Sequence, residues 1–264
     1  MTRHASSYNE YLRVPELLKL QQRLSDHHDE MLFIIIHQVY ELWFREMLHE
    51  AEAIIAAVSS GRVRLATRLY RRLIEIQRVL LQQIPVLETM TPSDFNKFRD
   101  LLNPASGFQS SQFRELEFVS GMKDPSCIGA VSRDATTVTV LERRLAEPSL
   151  YDVFDDLLRA RGFEMPVGKS PQMTAARLDA LKKIYGEQED HDDLYQLCEA
   201  MIEYDENFLL WRYHHVRMVE RMIGRKRGTG GSEGVSYLTT TLAKRCFPEL
   251  WEVRTHLTSD PPGG

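Results

Sequence analysis

Apolar residues recur along this chain at the three- and four-residue spacing of helices, and no segment shows sustained period-two alternation. The pattern predicts a long helix over 25–58, capped by Ser25 or Asp26, with Asp29 and Glu30 suited to its first turn. Gly61 punctuates, and a second helix is expected over 62–84, ended by Pro85. Thr91-Pro92 with Asp94 reads as the start of a short helix reaching 102. The segment NPASGFQSS, 103–111, is turn-rich, and a helix over 112–120 follows it. Helices are expected over 132–146 and 150–160, split by Pro148, then over 173–185 after a loop at 162–171. A long helix over 190–223 leads into the glycine-rich loop GRKRGTGGSEG, 224–234. Helices over 235–245 and 250–255 complete the pattern, and the tail SDPPGG is expected to be disordered. The expected fold class is all-α: one large helical domain over 25–258, an N-terminal arm over 1–24 and a tail over 259–264.

Composition narrows the function classes. Of 264 residues, 43% are hydrophobic and 27% charged, as in ordinary soluble domains. The net charge of −5 lacks the basic surface of a nucleic-acid binder, and Arg225-Lys226-Arg227 is too short a run to supply one. Cys127, Cys198 and Cys246 are odd in number and form no CxxC pair, which fits a reducing compartment. The stretch MTRHASSYNE has no signal-like apolar segment, and the longest strongly apolar run, Met31 to Ile36, cannot span a bilayer. A cytoplasmic protein, bound to neither membrane nor nucleic acid, is the expectation.

Two helical stripes carry candidate chemistry. Trp211, His215, Met218 and Met222 fall at i, i+4, i+7 and i+11 of the long C-terminal helix, so they share a face. A histidine in such a stripe is ordinarily a hydrogen-bonded core residue. The same setting, a neutral imidazole against a dry apolar wall on a rigid helix, is what an axial haem ligand requires. His214, a quarter turn away, competes with His215 for that role. Phe33, His37, Tyr40 and Phe44 repeat the pattern on the early long helix. Two such histidines can face a planar cofactor from opposite sides or belong to two core helices, and spacing leaves both open.

Arg99 lies one turn after Phe95 and beside Phe98. A guanidinium next to aromatic faces suits a ligand carboxylate held bidentately, or it snorkels from the core edge to solvent. The loop 228–234 lacks both the terminal Gly-Lys-Ser/Thr of a phosphate-binding loop and GxGxxG spacing, and it follows a helix. It reads as a mobile lid or a plain connection. Asp26 to Glu30 is acidic and His-rich, yet its side chains fan around a helix axis. Glu46-x-x-His49 has no second Glu-x-x-His, which a di-iron bundle needs. HExxH and Gly-x-Ser-x-Gly are both absent.

Several blocks together resemble one family. HHDEMLFIIIHQVYELWFREMLHE (27–50), FRDLLNPASGFQSSQFRELE (98–117), WRYHHVRMVERMIGRKRGTGGSEGVSYL (211–238), RCFPELWEVRTHL (245–257) and YNEYL (8–12) are similar to the tryptophan 2,3-dioxygenases, in the family's order. The middle, 121–206, is less distinctive, and Glu233 stands where a small polar residue is common. The resemblance implies a homotetramer, a dimer of dimers, with one haem b per subunit. His215 would be the axial iron ligand and His37 the distal histidine near the indole N–H. Phe33 would wall the indole, Arg99 would clamp the substrate carboxylate, and Thr229 would meet its ammonium. Ser106 and Gly107 would lie beside haem and substrate, while Tyr8 and Tyr11 would reach a neighbouring subunit's pocket.

The activity implied is haem-dependent cleavage of the indole carbon 2–carbon 3 bond of L-tryptophan by dioxygen, giving N-formylkynurenine. In this scheme His37 is not an essential base, because the indole nitrogen keeps its proton. Rival expectations are a haem enzyme that inserts one oxygen atom to make an oxindole from a substituted tryptophan, a haem or indole sensor without turnover, and a bare helical bundle.

Overall fold

The computed structural model describes residues 7–131, 134–166, 171–229 and 234–257, and no strand occurs among them. The helices are α1 (Tyr8–Leu12), α2 (Val14–Leu17), α3 (His28–Ser59), α4 (Val63–Leu87), α5 (Pro92–Phe98), α6 (Ser111–Val119), α7 (Ile128–Val131), α8 (Ala135–Ala146), α9 (Leu150–Ala160), α10 (Pro171–Gly186), α11 (Asp192–Ile223), α12 (Val235–Thr240) and α13 (Pro248–Glu252). Short 3-10 turns lie at Arg99–Leu102, Gly107–Gln109, Pro125–Cys127, Thr241–Ala243 and Val253–His256. The all-α class holds. The tail from 258, residues 230–233 of the glycine loop, including Glu233, residues 132–133 at the start of the helix expected over 132–146, residues 167–170 of the loop expected at 162–171, and residues 1–6 lie outside the described residues.

Three long helices set the frame. α3 and α4 form a hairpin joined at Gly61, whose φ of 70° belongs to the left-handed region that glycine enters without steric cost. α11 packs along α4. Ala51, Ala57 and Ala66 are fully buried where α3 and α4 approach, and Leu73, Leu80, Leu197, Met201, Tyr204 and Phe208 carry the core across α4 and α11. Leu116, Leu150, Phe154 and Leu158 bring α6 and α9 onto the same core.

Several predicted boundaries move for physical reasons. The cap of α3 is His27, whose Nδ1 accepts from Asp29 N at 3.3 Å, rather than Ser25 or Asp26. Ser25 is drawn away because the buried Glu30 carboxylate accepts from Leu24 N, Ser25 N and the Ser25 hydroxyl at 2.6–2.7 Å. Pro85 does not end α4, which continues to Leu87. Near the C-terminus of the helix, Ile84, Leu87 and Met90 are buried, and this packing holds the extra residues helical. The short helix begun by Thr91 stops at Phe98, so Arg99 opens a 3-10 turn. The expected helix over 235–245 tightens into a 3-10 turn after Thr240.

Buried polar groups lock the periphery. Asp205 of α11 accepts from Cys246 N (2.9 Å), Phe247 N (3.1 Å) and Trp251 Nε1 (2.9 Å), docking α13. Arg177 of α10 grips Asp155 at 2.5 Å and Glu249 at 3.1 Å. The three cysteines are unpaired and buried. No helix among the described residues is long and apolar enough to cross a membrane.

Candidate active site

In a second, smaller apolar cluster with Ile36 and Phe98, the side chains of Ile84, Leu87, Met90, Met218 and Met222 wall a cavity of about 270 Å³ between α3 and α11. The helical stripes seen in the sequence converge there. Phe33, His37, Tyr40 and Phe44 line the cavity from α3, and Trp211, His215, Met218 and Met222 line it from α11. Helical periodicity brings each set to one face, and α4 sets the spacing between the two helices.

Both imidazoles are kept neutral. Burial, with the His37 ring adding to it, lowers His215 from the ordinary 6.5 to about 4. Burial also lowers His37, against the opposing pulls of the Phe33 carbonyl and the Glu41 carboxylate. His37 Nδ1 lies 2.7 Å from the Phe33 carbonyl. A carbonyl only accepts, so Nδ1 carries the proton and Nε2 keeps its lone pair. His214 is exposed and does not line the cavity, which separates the two candidates on α11.

Phe33, Phe95, Arg99, Ser106, Gly107 and Thr229 also line the cavity. Phe33 stacks on Phe95 at 5.6 Å and lies 4.1 Å from the His37 ring. Arg99 Nη2 donates to the Arg227 carbonyl, and Thr229 Oγ1 donates to the Ala105 carbonyl at 2.6 Å. These bonds join the loop after α11 to the loop before α6. Arg99 is thus neither core-packed nor fully solvated. Tyr8 and Tyr11 are not among the lining residues and stand 74% and 75% exposed on α1.

A buried polar group of the lining, Arg114, Glu117 and Arg212, was not found from sequence. Glu117 pairs with Arg212 and with Arg114 at 2.6 Å each, with the side chains 5%, 4% and 9% exposed. Arg114 lies over the Phe113 ring at 4.8 Å and Arg212 over Phe208 at 4.7 Å. Arg114 Nε is a buried donor with no hydrogen-bond partner among the described residues. The available signal was the i, i+3 spacing of Arg114 and Glu117 in FRELE, which reads as a surface pair until tertiary structure buries it. No cluster of three or more His, Cys, Asp or Glu able to hold a bare metal ion occurs among the described residues.

Two neutral imidazoles from two helices, apolar walls and buried guanidiniums suit a flat, metal-bearing, carboxylate-bearing macrocycle. Comparison with known proteins shows the family. Residues 1–146 and 132–257 match the family described as tryptophan 2,3-dioxygenase. The chain belongs to the tryptophan 2,3-dioxygenase family. Among its relatives, the tryptophan 2,3-dioxygenase of Myxococcus xanthus is 41% identical over 97% of this chain and 91% of its own length. Those of Bacillus thuringiensis and of a Nocardioides species are 42% and 46% identical over 95% of this chain, covering 92% and 94% of their own lengths.

Proposed function

We propose that this chain is a tryptophan 2,3-dioxygenase that uses haem b and dioxygen to cleave the carbon 2–carbon 3 bond of the indole ring of L-tryptophan, giving N-formylkynurenine. The observation that carries this is the meeting of His37 and His215 in one largely apolar cavity that Arg99 and Thr229 also line, in a chain of this family.

The residues present fit the haem. His215 would be its axial ligand, because its lone pair is available at any pH above about 4. Arg114, whose buried Nε has no hydrogen-bond partner among the described residues, fits a group that carries carboxylates. Haem, when bound, supplies the redox chemistry that lets dioxygen react with an electron-rich indole. The protein's own part is orientation and exclusion of water. Phe33 presents a flat apolar wall to the indole, and His37 Nε2 is an acceptor for the indole N–H, which keeps its proton throughout. Arg99 is placed to exchange the Arg227 carbonyl for the substrate carboxylate, and Thr229 to exchange the Ala105 carbonyl for the ammonium. Both oxygen atoms end in the product, so the reaction balances without an external reductant.

The assembly belongs to the same proposal. Tyr8, Tyr11, Leu18, Leu20 and Leu24 leave an apolar arm 61–75% exposed, an arrangement uncommon in an isolated soluble chain. Gln38 Nε2 donates to the Leu20 carbonyl at 3.1 Å, which ties the root of this arm to α3. A homotetramer, a dimer of dimers, would cover the arm and bring Tyr8 and Tyr11 to a neighbour's cavity. The deciding experiment is anaerobic reduction of the haem-loaded protein with tryptophan, then exposure to isotopically labelled dioxygen. A product carrying both labelled atoms is expected; a product carrying one would favour the oxindole route, and no turnover would favour a sensor.

A further inference from the structure

The two cavity histidines are held in different ways. His37 is oriented by its bond to the Phe33 carbonyl, 2.7 Å away and one helical turn back. No described residue hydrogen-bonds to the ring of His215. The His215 ring lies against Trp211, with ring centroids 5.2 Å apart and planes only 10° from parallel. Trp211 precedes it by one turn of α11, so the two side chains stack along the helix.

The indole is itself held from outside α11. Phe113 of α6 lies 5.0 Å from it at 40°. Tyr40 and Phe44 of α3 meet it edge-on at 6.1 and 6.3 Å, with planes at 71° and 82°. Tyr40 is fixed in turn by its hydroxyl, which donates to the Leu80 carbonyl of α4 at 2.9 Å. Four helices therefore determine one indole plane, and only one ring rests on the face left free.

We propose that Trp211 is a positioning residue for His215: its indole face sets the plane of the imidazole at the cavity. The inference rests on the assignment of His215 as the axial haem ligand. The plane of the imidazole is then set by packing and is lost when the ring face is lost, even if the volume is kept.

The test separates the stack from the covalent tether. Haem-loaded protein carrying His215→Gly is titrated with free imidazole, alone and combined with Trp211→Phe, Trp211→Met or Trp211→Leu. Circular dichroism checks that each variant is folded. An aromatic pair contributes a factor of about five to an equilibrium constant, equivalent to ~1 kcal/mol. Imidazole affinity is expected to be near the His215→Gly value with Trp211→Phe, which keeps a ring face, and about fivefold weaker with Met or Leu. In the His215 background, the ferrous iron–histidine stretching band is expected to stay single and narrow with Trp211→Phe and to broaden or shift with Trp211→Met and Trp211→Leu. Equal imidazole affinity in all backgrounds, with an unchanged band, overturns the positioning role while leaving His215 as ligand. If His215→Gly shows the wild-type axial spectrum without imidazole, His215 is not the ligand, and the positioning role falls with that assignment.

Discussion

Glu117 is the residue whose loss should distinguish the empty protein from the haem-loaded one. Its carboxylate is the shared partner of two buried guanidiniums, Arg114 and Arg212, at 2.6 Å each. Arg212 also donates to the Thr241 carbonyl at 3.3 Å, so it cannot swing out to water without breaking its tie to the turn after α12. Glu117→Gln leaves the volume unchanged and removes the only negative charge of the triad, placing two like charges together in a buried site. Breaking a buried ion pair by removing one partner costs about 3–5 kcal/mol. A chain of 264 residues unfolds with an entropy of about 0.55 kcal/mol/K, so the melting temperature of the haem-free protein should fall by about 5–9 °C. Arg114 and Arg212 both line the cavity, so an anionic group bound there takes over part of the role of the lost carboxylate. The fall should therefore be smaller in the haem-loaded protein. The assay is thermal unfolding of both forms, followed by circular dichroism. A haem-free shift below 1 °C refutes the buried-triad energetics. Equal shifts in the two forms refute the idea that these arginines face the bound group.

Four further outcomes are expected. The haem-free protein should lose stability as pH falls from 6.5 toward 4: the folded state holds His215 at about 4, so the unfolded chain takes up the proton first. The gap corresponds to at most ~3 kcal/mol, less where cavity water reaches the ring, and urea unfolding at pH 7 and pH 4.5 should show a smaller difference in His215→Gln. Gly234 has φ +63°, and a Cβ there would sit 2.7 Å from the Lys226 carbonyl oxygen; Gly234→Ala should strain the loop by about 1–2 kcal/mol and raise the KM for tryptophan while haem content, read from the Soret band, is unchanged. Arg99→Ala should lower kcat/KM for tryptophan by roughly 10- to 100-fold, the loss of a charge-assisted hydrogen bond, and barely alter turnover of tryptamine, which has no carboxylate; equal losses on both substrates would make Arg99 structural. Deleting residues through Leu12 should loosen the oligomer in size-exclusion chromatography and raise the KM for tryptophan, whereas an intact assembly with normal binding would show that Tyr8 and Tyr11 act on no neighbour.

Local rules along the chain determined the helices and which side of each is apolar. Periods of 3.6 residues put Phe33, His37, Tyr40 and Phe44 on one line and Trp211, His215, Met218 and Met222 on another, and Thr91 and Ser149 capped the helices that follow them. These outcomes depend on neighbours within a turn or two, so sequence alone carries them. Whether the two lines meet, and which of His214 and His215 faces the cavity, depends on how α3 and α11 are spaced by α4, a relation between residues more than a hundred positions apart. Tertiary packing also extended α4 beyond Pro85 and drew Ser25 away from its expected cap, because buried partners elsewhere outweighed local preference. The buried polar group of the cavity lining was the least legible part. Arg114, Glu117 and Arg212 have the spacing of ordinary surface charges, and nothing in a charged residue's own sequence context reveals that the fold will bury it.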